Sequence, residues 1–381
     1  MPSIALVLDQ FDPLGGGLER WCHQLCRYLI KTGYEVHVVT FDLREPVDSG
    51  LTVHRLPKSS GRLARAQAVE DFLKQRKMDI VHDLGVGWSF DILQPKAGSK
   101  LANYRQDLRS QSRLERLMTR LSPARHRWRK ELQKLENRQY RSGNGFLIAV
   151  SKMVQGHLQQ LYGVDSARVR VVYNGVDVRR FAPDHRRTYR DQIRKTMGLR
   201  QETLFLFVAT NFRLKGIRTA LKAMRLLKED HRDVHLAIVG KGPIEPYRNL
   251  AKRLKIENII SFYGFIENPM PYYMAADVLI HPTFYDACSL VVLEAWASGL
   301  PVITTRFNGA GELMTPGIHG FLMENPGDAK ELALRMKSLL DVSLRSKMAE
   351  EACTLGSNQS TDQNFQKIEA IYKEILQTSR L

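Results

Sequence analysis

The chain has 381 residues, of which 43% are hydrophobic and 25% charged. This composition is typical of a globular protein of two or three domains, at roughly 150 residues each, and excludes a disordered, collagen-like or disulfide-built chain. Without an apolar run of about 18 residues we expect no membrane span, and the net charge of +17 points to an anionic partner, namely nucleic acid, an anionic membrane or a phosphorylated substrate.

The N-terminal half alternates between predicted strands and helices. The apolar run at residues 4–9 is typical of a buried parallel strand, and a loop with Gly15, Gly16 and Gly17 follows it. The alternation indicates a parallel, doubly wound sheet. Strands are predicted at residues 4–9, 35–40, 53–56, 79–82, 145–151 and 169–173, and helices at residues 18–32 and 64–75.

A basic excursion occupies residues 96–145, where fourteen Lys or Arg oppose four acids for a net charge of +10. Arginines and leucines recur at helical spacing on different sides, which predicts an amphipathic basic helix suited to an anionic membrane surface. The alternative is that the leucines pack on the domain and the arginines are solvated. The predicted membrane contacts are Arg105, Arg109, Arg113, Arg116, Arg120 and Trp128.

A second alternation follows a polar, basic stretch at residues 181–201, which we interpret as an interdomain linker. We therefore expect an α/β protein of two Rossmann-like, doubly wound domains, 1–185 and 186–360, that face each other across a cleft. A C-terminal helix within 361–381 is expected to cross back to the first domain. Strands are predicted at residues 204–209, 235–239, 259–262, 278–281 and 301–304, and helices at residues 217–227, 245–254, 270–276, 290–298, 328–340, 344–354 and 362–377.

Basic residues follow the first predicted strand of the second domain. Ligands of doubly wound domains bind at the carboxyl ends of the strands. Arg213 and Lys215 lie at such an end, where a guanidinium fork and an ammonium suit a pyrophosphate. The alternative is a solvated basic loop.

Two acids flank the start of a later helix. Asp286 lies in the loop after the strand at 278–281, and Glu294 lies eight residues further on, inside the helix. Carboxylates accept hydrogen bonds from vicinal hydroxyls, so the pair suits a sugar or a ribose. Free backbone N–H groups near Ser289 and Leu290, at the start of the helix, predict an anion site.

Metal and dinucleotide sites are not indicated. The cysteines at 22, 26, 288 and 353 lack the spacing of a zinc site, and no Asp-x-Asp cluster occurs. The glycine loop does not fit G-x-G-x-x-G, which counts against a dinucleotide cofactor.

Longer motifs extend over nearly the whole chain: GGGLERW at 15–21, VVYNGVDVRRFAPD at 171–184, IVGKGP at 238–243, FYGFIE at 262–267 and MAADVLIHPTFYDACSLVVLEAWASGLPVIT at 274–304. Together they resemble the retaining glycosyltransferases of family 4, the glycosyl transferases group 1 type. The resemblance implies the GT-B fold, in which two Rossmann-like domains face each other.

The resemblance also implies roles for these residues. The acid-x7-Glu motif of the family falls on Asp286, where the family usually has Glu, and on Glu294. The first acid would touch hydroxyls of the donor sugar and the second would hold the ribose. Arg213 and Lys215 match the diphosphate site, so Asp286, Arg213 and Lys215 are the implied catalytic residues.

Other implied positions lie on loops of both domains. Gly16 and Gly17 match the loop that approaches donor phosphate and acceptor. Lys96 stands where many members carry a histidine, on a loop after the strand that ends near His82. The implied acceptor-side or uncertain positions are Glu19, His82, Lys96 and Asn308, and Ser289 and Leu290 complete the donor set.

The implied reaction is the retaining transfer of a hexose from a nucleotide sugar, expected to be a UDP-sugar, without metal or other cofactor. The implied acceptor is a lipid-linked or phosphorylated glycan such as a lipopolysaccharide core. Together with the basic excursion, this predicts a cytoplasmic enzyme at the inner face of the cell membrane. The alternatives are a GT-B phosphorylase or nucleotide-sugar epimerase, or a nucleic-acid-binding protein, for which aromatic platforms and a reading motif are missing, so we expect no nucleic-acid partner.

Overall fold

The computed structural model describes residues 1–12, 17–44, 48–141, 145–231 and 233–378, and the chain forms two compact units. Unit 1 takes in Met1–Tyr104, Leu117–Tyr173 and Asp362–Leu381, and unit 2 takes in Arg105–Arg116 and Asn174–Thr361. The chain thus passes from one unit to the other at Tyr173, upstream of the predicted boundary at 185. Part of the basic excursion belongs to unit 2.

Unit 1 contains a seven-stranded sheet in the order β3-β2-β1-β4-β5-β6-β7, with every pairing parallel. Its strands are β1 Ser3–Phe11, β2 Glu35–Leu43, β3 Leu51–Arg55, β4 Ile80–Asp83, β5 Ile92–Leu93, β6 Phe146–Ala149 and β7 Val169–Val171. Its helices are α1 Gly17–Lys31, α2 Arg62–Lys74, the excursion helices α3 Lys100–Ser110, α4 Arg113–Leu121 and α5 Pro123–Arg141, and α6 Lys152–Tyr162. Helix α3 ends in unit 2, and the unit 2 segment includes the start of α4.

Helix α6 was absent from the sequence prediction, although its capping signals are local. The side chain of Ser151 accepts a hydrogen bond from the N–H of Val154, and Gly163 ends the helix in the left-handed conformation at φ 67°. Serine at the N-cap and glycine after the last turn satisfy terminal backbone groups of a helix.

Unit 2 contains a six-stranded parallel sheet in the order β10-β9-β8-β11-β12-β13. The doubly wound α/β class is therefore confirmed in both units. The strands are β8 Thr203–Val208, β9 Val234–Val239, β10 Ile260–Gly264, β11 Val278–His281, β12 Val302–Thr305 and β13 Gly320–Met323. The helices are α7 Arg186–Thr196, α8 Ile217–Asp230, α9 Glu245–Arg253, α10 Met270–Ala275, α11 Leu290–Ala297, α12 Ala329–Ser338 and α13 Val342–Ser357.

The predicted linker at 181–201 contains the ordered helix α7. Arg190 and Arg194 of this helix bind Asp277 at 2.7 Å and 3.3 Å, which fixes α7 to the start of β11. The charged side chains of this stretch thus belong to a helix that packs within unit 2, although their polarity alone favours a linker.

The last helix, α14 Thr361–Thr378, completes the core of unit 1. Phe365, Ile368 and Tyr372 are buried in one apolar cluster with Trp21 and Leu25 of α1. Polar contacts fix the helix as well: Trp21 Nε1 donates to Asn364 Oδ1 at 2.9 Å.

Candidate active site

The loops after β8 and β11 form the candidate site of unit 2. These strands are neighbours, and the strands that follow each of them lie on opposite sides, so the strand order reverses between them. Ligands of open α/β sheets bind at this point. Gly216, after β8, has φ +81°, and a Cβ there would overlap the carbonyl oxygen of Pro282. Glycine therefore lets the two loops meet, and the Phe284 N–H donates to Leu214 O at 2.8 Å.

Lys215 and Asp286 form an ion pair across these loops. Lys215 Nζ lies 2.6 Å from Asp286 Oδ2 and donates to Tyr285 O at 2.9 Å. His281 Nε2 lies 3.4 Å from the same Asp286 oxygen. Burial raises the pKa of Asp286, but Lys215 and His281 outweigh it, so the pKa is below the ordinary 3.8. The site thus holds an ionised carboxylate beside an ammonium.

A backbone N–H group at the start of α11 is already bound by a side chain of the protein. Asn308 Oδ1 accepts the N–H of Ser289 at 3.2 Å and that of Ala310 at 3.1 Å, and Asn308 is 1% exposed. The Ser289 N–H is therefore committed to Asn308, contrary to the expectation that it is free for an anion. The Ser289 hydroxyl is buried without a hydrogen-bond partner among the described residues, while Leu290 opens the helix and is partly buried.

Glu294 is oriented by a tyrosine that no sequence motif marks as a site residue. The hydroxyl of Tyr273 donates to Glu294 Oε2 at 2.6 Å, and Tyr273 is fully buried. Burial, and then the neighbouring Glu294 charge, raise the pKa of Tyr273. Tyr273 therefore stays a donor at neutral pH and holds the carboxylate in place.

Arg213 is bound by an acid of the basic excursion. Its Nη2 donates to Asp107 Oδ1 at 2.8 Å and Oδ2 at 3.0 Å. A second pair joins Arg218 to Glu115 at 3.2 Å. Both acids lie in Arg105–Arg116, which belongs to unit 2. Both cations predicted to hold a diphosphate, Arg213 and Lys215, thus have carboxylate partners here.

Of the predicted acceptor-side or uncertain residues, Asn308 lies in unit 2, whereas Glu19, His82 and Lys96 lie in unit 1. His82 is fully buried, and its Nδ1 lies 2.6 Å from the hydroxyl of Tyr372. Burial and Lys96 lower the pKa of His82 to about 3. Lys96 Nζ lies 3.2 Å from the centre of the Trp21 ring. The structure thus places His82 beneath the surface and Lys96 on the face of an aromatic ring.

The glycine loop is only partly described. Gly16 lies outside the described residues, whereas Gly17 is exposed at the start of α1 and Glu19 is partly buried in its first turn.

The basic excursion forms separate helices, so the expectation that Arg105 to Arg120 lie on one helix is wrong. Arg116 Nε donates to the carbonyl oxygen of Leu108, near the end of α3, at 2.8 Å. Trp128 is partly buried, and its ring centre lies 5.5 Å from that of Tyr104. Arg105, Arg109, Arg113 and Arg120 are exposed. The structure adds an exposed apolar face on α4, made of Leu114 at 68%, Leu117 at 54%, Met118 at 63% and Leu121 at 71% exposure.

The described residues include no group of three or more His, Cys, Asp or Glu side chains arranged to hold a metal ion. In that same part of the chain, none of the helices has the length and apolarity needed to cross a membrane.

Two family models match the chain in succession. The model described as Glycosyltransferase Family 4 matches residues 15–180, and the model described as Glycosyl transferases group 1 matches residues 189–354. The chain belongs to the group 1 glycosyltransferases with the GT-B fold, and it is a transferase enzyme. The resemblance inferred from the sequence motifs is therefore confirmed.

Three curated relatives show what the chain is similar to. An uncharacterised glycosyltransferase of Methanocaldococcus jannaschii is 27% identical over 84% of this chain and 84% of its own length. A D-inositol 3-phosphate glycosyltransferase of Catenulispora acidiphila is 31% identical over 51% of this chain and 48% of its own length. The lipopolysaccharide glucosyltransferase WaaG of Escherichia coli is 27% identical over 51% and 53%, respectively. The chain thus spans about half the length of the latter two relatives.

Solved structures agree on the fold. A crystal structure of WaaG has a TM-score of 0.81 at 22% identity and covers 97% of this chain and 99% of its own. The HepE protein of Anabaena, solved with UDP-glucose, has a TM-score of 0.72 at 19% identity and covers 100% of both chains.

The site is only partly visible in the sequence. Lys215 and Asp286 are candidates from the sequence because they lie in loops at the carboxyl ends of strands, and Glu294 is one because of its spacing from Asp286. Tyr273 and Asp107 were missed because their partners are 21 and 106 residues away, and no local pattern marks such pairs.

Proposed function

We propose that the chain is a retaining hexosyltransferase that uses a UDP-sugar and a lipid-linked or phosphorylated glycan acceptor, such as a lipopolysaccharide core. The observation that carries this proposal is the Lys215–Asp286 pair at the β8/β11 strand reversal, with Arg213 in the same loop. The UDP-glucose complex of HepE supports the donor class, and the likeness to WaaG supports the acceptor class.

The proposed chemistry uses the chain's own charges. Cleavage of the sugar–diphosphate bond develops negative charge on the leaving phosphate, and preorganised cations stabilise such charge. Lys215 is held near the strand ends by Asp286 and Tyr285 O, so it needs little reorganisation. In this proposal Asp286 also binds donor-sugar hydroxyls and Glu294, fixed by Tyr273, binds the ribose. The cations take the role that a metal ion has in other transferases.

The test measures sugar transfer from UDP-glucose to a lipopolysaccharide-core acceptor, with product analysis by NMR. We expect Lys215→Met to lower kcat by about 10²- to 10³-fold, the loss typical of removing one charge-stabilising donor. Lys222→Met, on the exposed side of α8, is the matched control. Normal transfer by Lys215→Met, an inverted product, or consumption of free phosphate would each reject the proposal.

We also propose that α4 attaches the enzyme to the inner face of the membrane. Its exposed apolar face, Leu114, Leu117, Met118 and Leu121, is flanked by the exposed Arg113 and Arg120. Apolar side chains between basic ones suit an anionic lipid surface.

Co-sedimentation with vesicles tests this docking. We expect binding to vesicles containing anionic lipid, and a loss of at least about tenfold in the Leu114→Ser/Leu121→Ser variant, because two leucines no longer enter the bilayer. Leu334→Ser is the control, because Leu334 is 59% exposed on α12. Equal binding of both variants, or equal binding to neutral vesicles, would contradict the proposal.

A further inference from the structure

The loop after β12 holds the backbone of Asp286. The N–H of Asp286 donates to the carbonyl oxygen of Phe307 at 2.9 Å, and the N–H of Gly309 donates to the carbonyl oxygen of Asp286 at 2.9 Å. These two hydrogen bonds place Asp286 opposite Asn308 in a short parallel bridge. The position of the Asp286 backbone therefore depends on the conformation of residues 307–309.

The side chain of Asn308 uses both ends of its amide to fix that conformation. Its Oδ1 accepts the N–H of Ala310 at 3.1 Å and so caps the short 3₁₀ helix that follows β12. The same oxygen accepts the N–H of Ser289, just before α11, at 3.2 Å. Its Nδ2 donates to Oγ1 of Thr304, in β12, at 3.0 Å. One amide thus joins the end of β12, the loop after it and the start of α11.

Asp286 is held from two directions. Its carboxylate lies 2.6 Å from Lys215 Nζ and 3.4 Å from His281 Nε2, whereas its backbone is bound to the loop that Asn308 fixes. The hydroxyl of Thr304, which accepts from Asn308, donates to the carbonyl oxygen of His281 at 3.0 Å. One chain of hydrogen bonds therefore connects Asn308 to both supports of Asp286.

Asn308 is too deeply buried to contact a ligand, because only 1% of it is exposed. It acts through the groups that it holds. Without its amide oxygen, the N–H groups of Ser289 and Ala310 would lose an acceptor, and both residues are buried. A buried N–H group without a partner is unfavourable. We therefore expect the loop to shift towards other acceptors when the amide is removed, and Asp286 to move with it.

We propose that Asn308 is a positioning residue for the sugar half of the donor, because it keeps the carboxylate of Asp286 where the hydroxyls of the donor sugar bind. This inference rests on the proposed glycosyl transfer. It adds a residue that touches neither substrate but determines how well the donor sugar is held.

The UDP half of the donor has other supports. Lys215 also donates to the carbonyl oxygen of Tyr285 at 2.9 Å, and Glu294 accepts from the hydroxyl of Tyr273 at 2.6 Å. Neither of these hydrogen bonds involves Asn308. Loss of the Asn308 amide should therefore weaken the sugar contacts and leave the UDP contacts in place.

Calorimetric titration of the full chain with UDP and with UDP-glucose, in the absence of acceptor, tests the inference. We expect Asn308→Ala to weaken the binding of UDP-glucose by about tenfold or more, since a hydrogen bond to a charged group contributes about that much. Its affinity for UDP should change by less than about threefold. Asn325→Ala is the matched control and should change neither affinity, because Asn325 is exposed and caps the loop after β13 through the N–H of Gly327 at 2.9 Å.

A second variant separates positioning from a general loss of structure. Asn308→Asp keeps an oxygen that accepts both N–H groups, so its ratio of affinities for UDP-glucose and UDP should stay within about threefold of the wild-type ratio, although the added charge weakens the binding of both. The inference is overturned if Asn308→Ala weakens both ligands equally, or neither, or if Asn308→Asp loses UDP-glucose as selectively as Asn308→Ala. A wild type that binds neither ligand instead rejects the proposed function, because the donor site itself is then absent.

Discussion

At the residue scale, we expect the Asp107–Arg213 ion pair to weaken donor binding. Arg213 Nη2 contacts both carboxylate oxygens of Asp107, and the two side chains are 30% and 20% exposed. A diphosphate that uses Arg213 has to compete with this carboxylate. Partly exposed ion pairs contribute about 0.2–1 kcal/mol, which corresponds to a factor of up to about five in affinity.

We therefore expect Asp107→Asn to tighten the binding of UDP and UDP-glucose by about two- to fivefold, because Arg213 loses its competing acid. Isothermal titration calorimetry measures this directly. Asp230→Asn is the control for the change in charge, since Asp230 pairs with Lys337 at 3.2 Å on another part of unit 2. An affinity that is unchanged or weaker in Asp107→Asn would show that Arg213 does not bind the diphosphate.

The same pair shows what the sequence could predict at this scale. Charged residues in a loop at a strand end, such as Lys215, can be selected as candidates from the sequence alone. Their partners were found only where spacing is fixed within one strand–loop–helix unit, as for Asp286 and Glu294. Asp107 comes from a helix more than a hundred residues away, so only the folded chain reveals it.

At the element scale, the basic excursion contains a helix break that its charge pattern does not indicate. Periodicity predicted one amphipathic helix, but α3 ends at Ser110 and α4 begins at Arg113. The reason is a capping box: Glu115 N–H donates to the Ser112 hydroxyl at 3.3 Å, and Ser112 N–H donates to Glu115 at 2.7 Å. Arg116 then binds the last carbonyls of α3. The Ser-x-x-Glu motif is present in the sequence, but the periodic arginines and leucines favour one continuous helix over a break at this motif.

Burial of His82, in β4, makes the stability of unit 1 depend on pH. His82 is buried against Tyr372, and its pKa falls from 6.5 to about 3, mainly through burial. The unfolded chain binds a proton at His82 below pH 6.5, whereas the folded chain does not until about pH 3. Stability therefore rises with pH across this window, by at most roughly 1.4 kcal/mol per pH unit from this residue.

Urea unfolding of wild type and His82→Gln between pH 4.5 and 7 measures this contribution. We expect the wild type to lose stability on acidification more steeply than the variant, because glutamine does not titrate. The comparison uses the slopes with pH, so a general destabilisation of the variant does not affect it. Parallel slopes would show that His82 does not titrate in this range.

At the scale of the whole molecule, the class of fold was predictable and the path of the chain between its units was not. Alternating apolar and amphipathic segments predict two doubly wound sheets, and both are present. Short strands such as β5, with two residues, are too brief to give a pattern. The assignment of Arg105–Arg116 to unit 2 depends on ion pairs made over long sequence distances.

The discontinuity of unit 1 leads to a prediction about its folding. The core of unit 1 contains Phe365, Ile368, Ile371 and Tyr372 of α14 together with Trp21 of α1. Loss of one large core side chain costs about 2–5 kcal/mol, and a typical domain has only about 5–15 kcal/mol in total. A chain that stops at Thr361 lacks the whole helix face and should leave unit 1 without a stable core.

Hydrogen exchange followed by mass spectrometry tests this on the chain truncated after Thr361. We expect the amides of β1, Ser3–Phe11, to lose their protection, while those of β8, Thr203–Val208, keep it, because the core of unit 2 contains no residue of α14. Truncation after Thr378, which leaves α14 intact, is the control and should change neither strand. Full protection of β1 in the shorter chain would mean that the sheet of unit 1 is stable without α14. Equal loss in both strands would mean that the two units unfold together, so that the C-terminal helix supports the whole enzyme and not only the unit in which it is packed.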